Sequence, residues 1–398
     1  MKCSVPGKQT RLNAYHSLKC PLIFFCSMLL FNTMIAQKTK PDKEMKKAMM
    51  HDTLDGKLDF SRFLLEAHGF IPVPYIITEP ALGGFGGMLI PLFIKPKKSV
   101  EGAGYVPPDI TGGIGLYTVN DTWAVGGFRM GSFPKASLKY RIGLGYGNIN
   151  CSFYRDIPQK GETEFAFNIR TFPVILSLSK KISKQEVYLG LQYKYMNTKL
   201  QPRFSDPLPG FINDKEIDNK TAALGVFMDW DKRNSIFTPD KGARVNIMYS
   251  VNDQWTGSDF EYQQAEGMLN WFVPVKANWI SGLRAEVQHV FNDPPFYLLP
   301  YINMRGVPTA RFQGTTTALV ETEQRIDFNL RWSVVAFGGL AKAMEENQSF
   351  GEARTIYNIG TGFRYLLARA FKLRAGIDIA KGTDSFGYYI VFGHNWNR

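Results

Sequence analysis

Cysteine and histidine are scarce: four and five in 398 residues. The five histidines, His16, His51, His68, His289 and His394, lie far apart. None has metal-ligand spacing and none sits in a Ser or Cys nucleophile motif. There is no G-x-S-x-G and no P-loop, and Gly83-Gly84-Phe85-Gly86 reads as strand rather than as a turn opening a helix, which excludes a nucleotide cradle. We therefore expect no catalytic residues, no cofactor and no metal. Cys3, Cys20 and Cys26 fall in the first 26 residues, so Cys151 stands alone beyond them and no disulfide can form within the remainder.

Also lacking is any second long apolar run. The one present, Leu22 to Ala36, follows Lys2, Lys8, Arg11 and Lys19 and ends Met34-Ile35-Ala36. A basic flank, a short apolar stretch and a small residue before Gln37 predict a signal peptide over 1–36. A membrane anchor is the alternative, but the run is short for crossing about 30 Å of hydrocarbon. Phe24-Phe25 before Cys26 does not suit lipidation. With no other apolar run, the chain can span a membrane only as a closed barrel. The signal removes four of the twelve excess positive charges, leaving +8. We read that charge as loops facing anionic lipid headgroups and lipopolysaccharide, not nucleic acid. Residues 37–71, rich in lysine up to Lys47 and followed by Asp59-Phe60-Ser61-Arg62-Phe63, predict a short periplasmic extension with a helical turn or two.

What is abundant is alternation. From Pro72 onward the period is two. Over 353–369, Tyr357, Ile359, Thr361, Phe363, Tyr365 and Leu367 share one face, and Asn358, Gly360, Gly362 and Arg364 the other. Over 318–331, Val320, Thr322, Gln324, Ile326, Phe328 and Leu330 oppose Glu321, Glu323, Arg325, Asp327, Asn329 and Arg331. Residues 372–380 repeat the pattern. In 386–396, Phe386, Tyr388, Ile390, Phe392 and Trp396 line one face, broken only by His394. Apolar faces with aromatic ends, set against a crowded charged face, predict a lipid-facing wall around a polar lumen. Short links at 181–185, 274–278 and 368–371 alternate with long ones at 200–218, 253–260, 293–316 and 343–353, as periplasmic turns alternate with outer loops. About fifteen strands are countable. An even number is required, so sixteen are expected, with 76–98 and 136–155 the places where one is merged or missed. The predicted fold is all-β: a transmembrane antiparallel barrel of about 16 strands over 72–398 in the outer membrane of a Gram-negative cell.

The long connector 293–316 carries Met304-Arg305-Gly306, and the strand after it carries Glu323-Gln324-Arg325. A later inward aspartate is Asp378, and the turn Asp231-Lys232-Arg233-Asn234 is followed by Pro239 and Gly242. In this order these motifs resemble the outer-membrane insertase and secretion-transporter superfamily of the BamA/TamA barrels, the bacterial surface antigens. The resemblance covers roughly 72–398. It implies that the connector folds into the lumen with Arg305-Gly306 at its tip, that Glu323, Arg325 and Asp378 belong to the site that receives it, and that Asp231, Arg233, Asn234, Pro239 and Gly242 form a periplasmic turn. It also implies a weak seam between first and last strands that opens to template client strands. Assembly members of the family carry periplasmic domains, where this chain has only 37–71.

Charge logic agrees with the pin. Arg305 inside a lumen needs carboxylates, and Glu323 and Asp378 lie on the inward parity. The alternative is an exposed Arg305, with the acids paired to Arg325 and Arg374. For the seam, the glycines Gly83, Gly84, Gly86 and Gly87 in the expected first strand and Gly393 in the last weaken an edge, or simply let the sheet curve. Two functions follow: an assembly or translocation factor acting on nascent outer-membrane or secreted polypeptides, or a plugged or gated pore or structural surface antigen without clients.

Overall fold

The structure is a computed structural model that describes residues 50–66, 70–95, 97, 109–157, 160–204, 210 and 212–396. The expected signal peptide and His68 lie outside them. Sixteen strands form one antiparallel sheet in which spatial neighbours are sequence neighbours: β1 (Phe70–Ile77), β2 (Gly86–Lys95), β3 (Asp109–Thr118), β4 (Trp123–Phe133), β5 (Leu138–Ile157), β6 (Gly161–Lys181), β7 (Val187–Pro202), β8 (Asp218–Asp231), β9 (Gly242–Asn252), β10 (Tyr262–Lys276), β11 (Trp279–Phe291), β12 (Thr316–Asp327), β13 (Trp332–Met344), β14 (Thr355–Ala368), β15 (Leu373–Gly382) and β16 (Ser385–Phe392). Region 76–98 held the end of β1 and all of β2, whereas 136–155 belongs to a single strand, β5. The run 318–331 stops as strand at Asp327, where a tight turn begins.

The two faces are inverted relative to a water-soluble protein. Val125, Leu191, Val320 and Ile359 are exposed on the outer wall, Ile359 at 63%. Arg284, Arg364, Glu321 and Asp378 are buried inside. Hydrocarbon as solvent makes this arrangement favourable. Aromatic pairs mark both rims: Trp123 with Tyr146 (ring centroids 5.7 Å apart) and Trp332 with Tyr365 (5.0 Å).

β5 and β6 run 20 and 21 residues, about twice the 9–11 that a tilted span requires. The pairing of β5 with β4 stops at Asn148, so residues 149–157 rise past the wall on the loop side. Their inward faces would be empty there. Phe153, Phe165, Phe167 and Leu200 fill them, joined by Ile212 and Phe296 from the loops, with Cys151 packed alongside. This apolar cluster roofs one side of the lumen.

Two expectations at the barrel's ends need correction. The alternation in 386–396 holds through Phe392 and then stops. Gly393 adopts φ +81° and its amide donates to the Arg374 carbonyl at 2.6 Å. The chain then turns inward, leaving Trp396 buried in the lumen rather than in lipid, and His394 buried beside it rather than at the membrane interface. The glycines Gly83, Gly84, Gly86 and Gly87 are not on the first strand. Gly83 (φ +87°) and Gly84 (φ +78°) make the turn after β1, capping a 3-10 turn over 80–82. Gly86 and Gly87 open β2, which is paired on both sides. Of the five expected seam glycines, Gly393 directly follows β16 and Gly84, in the turn after β1, accepts a hydrogen bond across the seam.

The sheet does not close its circle by hydrogen bonds. Among the described residues no backbone ladder joins β1 to β16. The two edges meet through Tyr75 and Phe392 (centroids 6.0 Å apart) and through the Tyr388 hydroxyl, which donates to the Gly84 carbonyl at 3.3 Å.

Candidate functional site

The connector between β11 and β12 folds into the lumen. Ile302, Met304 and Val307 pack against Leu319 of β12, Ala341 of β13 and Ile356 of β14. This apolar grip places Arg305 against the inner wall. Its Nη1 lies 2.6 Å from Asp378 Oδ2 and 2.8 Å from Glu323 Oε2, its Nη2 3.5 Å from Glu321 Oε1, and the Phe337 ring lies 3.4 Å from the guanidinium carbon. The Arg305 side chain has no solvent exposure. Three carboxylates with stacking on an aromatic face offset a desolvation that one partner would not.

Neighbours complete the set. Arg364 also pairs with Asp378, and Arg284 with Glu286 (2.8 Å) and Glu321 (3.2 Å). Asn358 Nδ2 donates to the Arg305 carbonyl (3.1 Å) and to Glu321 (2.9 Å). Trp396 Nε1 donates to Glu321 Oε2 at 2.6 Å, tying the chain's tail to the same carboxylate. Gly306 has φ +84°, its amide donates to the Tyr389 hydroxyl at 2.7 Å, and its carbonyl accepts from Ser385. A Cβ there would meet the Gly382 amide nitrogen at 2.8 Å, so backbone conformation and space both require glycine.

The structure brings Arg305, Gly306, Glu323 and Asp378 together. Glu321, Asn358, Tyr389 and Trp396, which sequence reasoning did not single out, join them, although Glu321 shares the inward parity of Glu323. Arg325 is a correction. It points inward but lies nearer the periplasm, pairing with Asp327 (3.1 Å) and Asp240 and donating to the Pro239 carbonyl at 3.3 Å. Arg325 thus binds the turn between β8 and β9, not the pin. The competing pairing of Glu323 and Asp378 with Arg325 and Arg374 is not what forms: Arg374 pairs with Asp327.

That turn is built as its residue types suggest. Arg233 grips Asp231 with two hydrogen bonds, 2.9 and 2.8 Å, and its Nη1 lies 3.0 Å from His394 Nε2. The Asn234 side chain accepts from the Asp240 and Lys241 amides. Gly242, at φ +103°, brings the chain back against Lys232. Ser235 donates to the Phe371 carbonyl, so the turn reaches the link between β14 and β15 and covers the lumen from the periplasmic side.

The described part of the extension docks here too. Helix α1 (Ser61–Glu66) follows a loop whose Asp52, Asp55 and Asp59 surround Arg331, each 2.7 Å from the guanidinium. Arg369 also holds Asp52, and the Phe60 amide donates to the Leu367 carbonyl. The Arg331 hydrogen bond holds the Asp55 carboxyl down to about 2, and Arg369 holds Asp52 below the usual carboxylate range. Nothing local in the sequence signalled this clasp, because its halves are more than 270 residues apart.

The profile of the Omp85 superfamily domain matches residues 128–298. That match runs from β4 to the loop after β11 and is a similarity to this superfamily over part of the chain. Solved structures share the barrel fold. BamA from Haemophilus ducreyi lacking POTRA domains 1-3 is similar at 14% identity and TM-score 0.56, over 82% of this chain and 69% of that one. CdiB from Escherichia coli is similar at 10% and 0.57, over 82% and 63%. CdiB from Acinetobacter baumannii is similar at 11% and 0.53, over 81% and 58%. The chain thus spans less than two thirds of both CdiB structures. Among curated proteins no sequence matches it. It is an integral outer-membrane β-barrel. Among the described residues no group of His, Cys, Asp and Glu is placed to hold a metal ion.

Proposed function

We propose that this barrel is an assembly or translocation factor that engages nascent outer-membrane or secreted polypeptides at its β1–β16 seam. The observation that carries the reading is the missing ladder between β1 and β16. Unpaired strand edges facing lipid are costly and invite pairing. Meanwhile the axial route is obstructed: the pinned loop and the apolar roof lie on one side, and the turn 232–241 with the C-terminal tail on the other. The relatives support the same reading, since the CdiB and BamA barrels share this fold. The test is depletion of the protein, with outer-membrane and secreted proteins scored and nascent chains crosslinked in the periplasm. Selective loss of a client set, with crosslinks to seam residues, is expected. An unchanged outer-membrane protein profile would end this reading.

A plugged pore is the second reading. It is favoured by a polar luminal cavity of about 220 Å³ whose lining includes Arg141, Gln192, Lys194, Arg244, Glu266 and Glu286. If it holds, deleting 299–316 raises single-channel conductance sharply and depletion removes no client.

A further inference from the structure

Three prolines lie in β1 and β2, and their placement is not neutral. The β1–β2 ladder is unbroken although Pro72 stands opposite Pro91. Two residues without N–H groups cannot form a hydrogen-bonded pair, so this is a non-bonded position, and both turn their backbone groups away from that ladder. The β2–β3 ladder agrees, because it skips Ile90 and Pro91 where the Pro91 donor is missing. Hence residues 70, 72, 74 and 76 of β1 direct their backbone groups to the open seam. Two of these four, Pro72 and Pro74, have no donor.

The opposite edge is complete. The Thr383 amide donates to Tyr357 of β14, and the Gly393 amide to Arg374 of β15. These bonds fix the alternation, leaving Phe386, Tyr388, Ile390 and Phe392 of β16 facing the seam. All four carry a donor and an acceptor, and their side chains face outward into lipid. β1 can return donors at only two positions, so a fully closed seam leaves β16 carbonyls unanswered.

Resting on the assembly reading above, we propose that β16, not β1, is the edge on which an incoming segment pairs. Its occupant is an extended strand of another outer-membrane polypeptide, free of proline and apolar on its outward face. Only such a backbone repeats donors and acceptors at the spacing that the edge presents, and lipid supplies neither. The incoming strand outcompetes β1 because it returns the donors that Pro72 and Pro74 lack. The prolines keep β1 a weak closing partner.

The test uses the full chain in lipid nanodiscs with a photo-crosslinking residue at Tyr388 or at Ile76, and a synthetic peptide alternating valine and tyrosine as probe. Labelling from position 388 is expected to exceed that from 76 severalfold. In Pro72→Val/Pro74→Val, whose two restored donors strengthen closure, labelling from 388 falls about tenfold. Tyr388→Pro, tested with the crosslinker at Phe386, also abolishes labelling. Native folding of each variant is checked by heat-modifiable gel mobility. Labelling equal at the two edges, stronger at 76, absent from both, or unchanged in the valine variant overturns the proposal. If depletion still removes clients while the probe labels β1, the assembly reading survives and only the choice of edge is lost.

Discussion

The two flanks of the seam are built to different standards. On the β16 side, β15 holds Arg305 through Asp378, β16 holds Gly306 through Tyr389 and Ser385, and the tail binds Glu321 through Trp396. On the β1 side, β1 is laddered to β2 alone, and the nearest tie to the loop is the Thr309 amide donating to Glu79 in the turn after it, at 3.0 Å. On the proposal that strands pair at the seam, β16 is the fixed post and β1 the edge that gives way. The clasp around Arg331 fits this division. It secures residues 52–60 to the turns beneath β12–β15.

The comparison can be broken at its stronger flank first. Arg305→Ala leaves three carboxylates in the pin without their central cation, and we expect a loss of about 3–5 kcal/mol in resistance to denaturation. Proteolysis of 293–316 from the outside should become rapid. An unchanged melting profile with unchanged loop protection would show that the fixed post does not depend on the pin. Gly306→Ala keeps every charge but places a Cβ against Gly382 in a left-handed backbone. A cost of about 1–3 kcal/mol is expected, with partial loop exposure.

Arg331→Ala tests the clasp. The aspartates can swing into water, so the expected effect is local, about 2 kcal/mol. It is read as protease cleavage within 50–66 while the barrel's own melting stays the same. The smallest effect is the pH response. Asp52 and Asp55 have folded values below their free ones, so their docking stability is present above the free value. It is lost as pH falls, between about pH 4 and about pH 2. Protease protection of 50–66 should thus be flat from about pH 8 to about pH 5 and fail only in strong acid. Release at neutral or mildly acidic pH would show that the aspartate–Arg331 pairing does not hold the strap.

What was legible in the sequence follows from what period two encodes. Parity tells which face a residue occupies, and the structure places Glu323 and Asp378 on the inner face beside Arg305. Parity does not tell height along the barrel axis, and so Arg325 was grouped with a pin that lies above it. Extending the period past Gly393 put Trp396 in lipid, whereas a residue at φ +81° ends the strand. The glycine-rich run 83–87 drew attention from β1, whose alternate prolines argue against a strand by propensity. They are tolerated because an edge strand has one side with nothing to bond. The Arg331 clasp and the tail's bond to Glu321 join distant parts of the chain, and no local pattern announces either.

The apolar roof over β5–β7 carries its own reporter. Cys151 is the free thiol among the described residues, half-buried beside Phe153 and Phe167. A bulky maleimide would reach it slowly while the rings stay packed and quickly once they part. The native chain, without any engineered label, thus offers a chemical clock for how often its outer cap breathes, read independently of events at the seam.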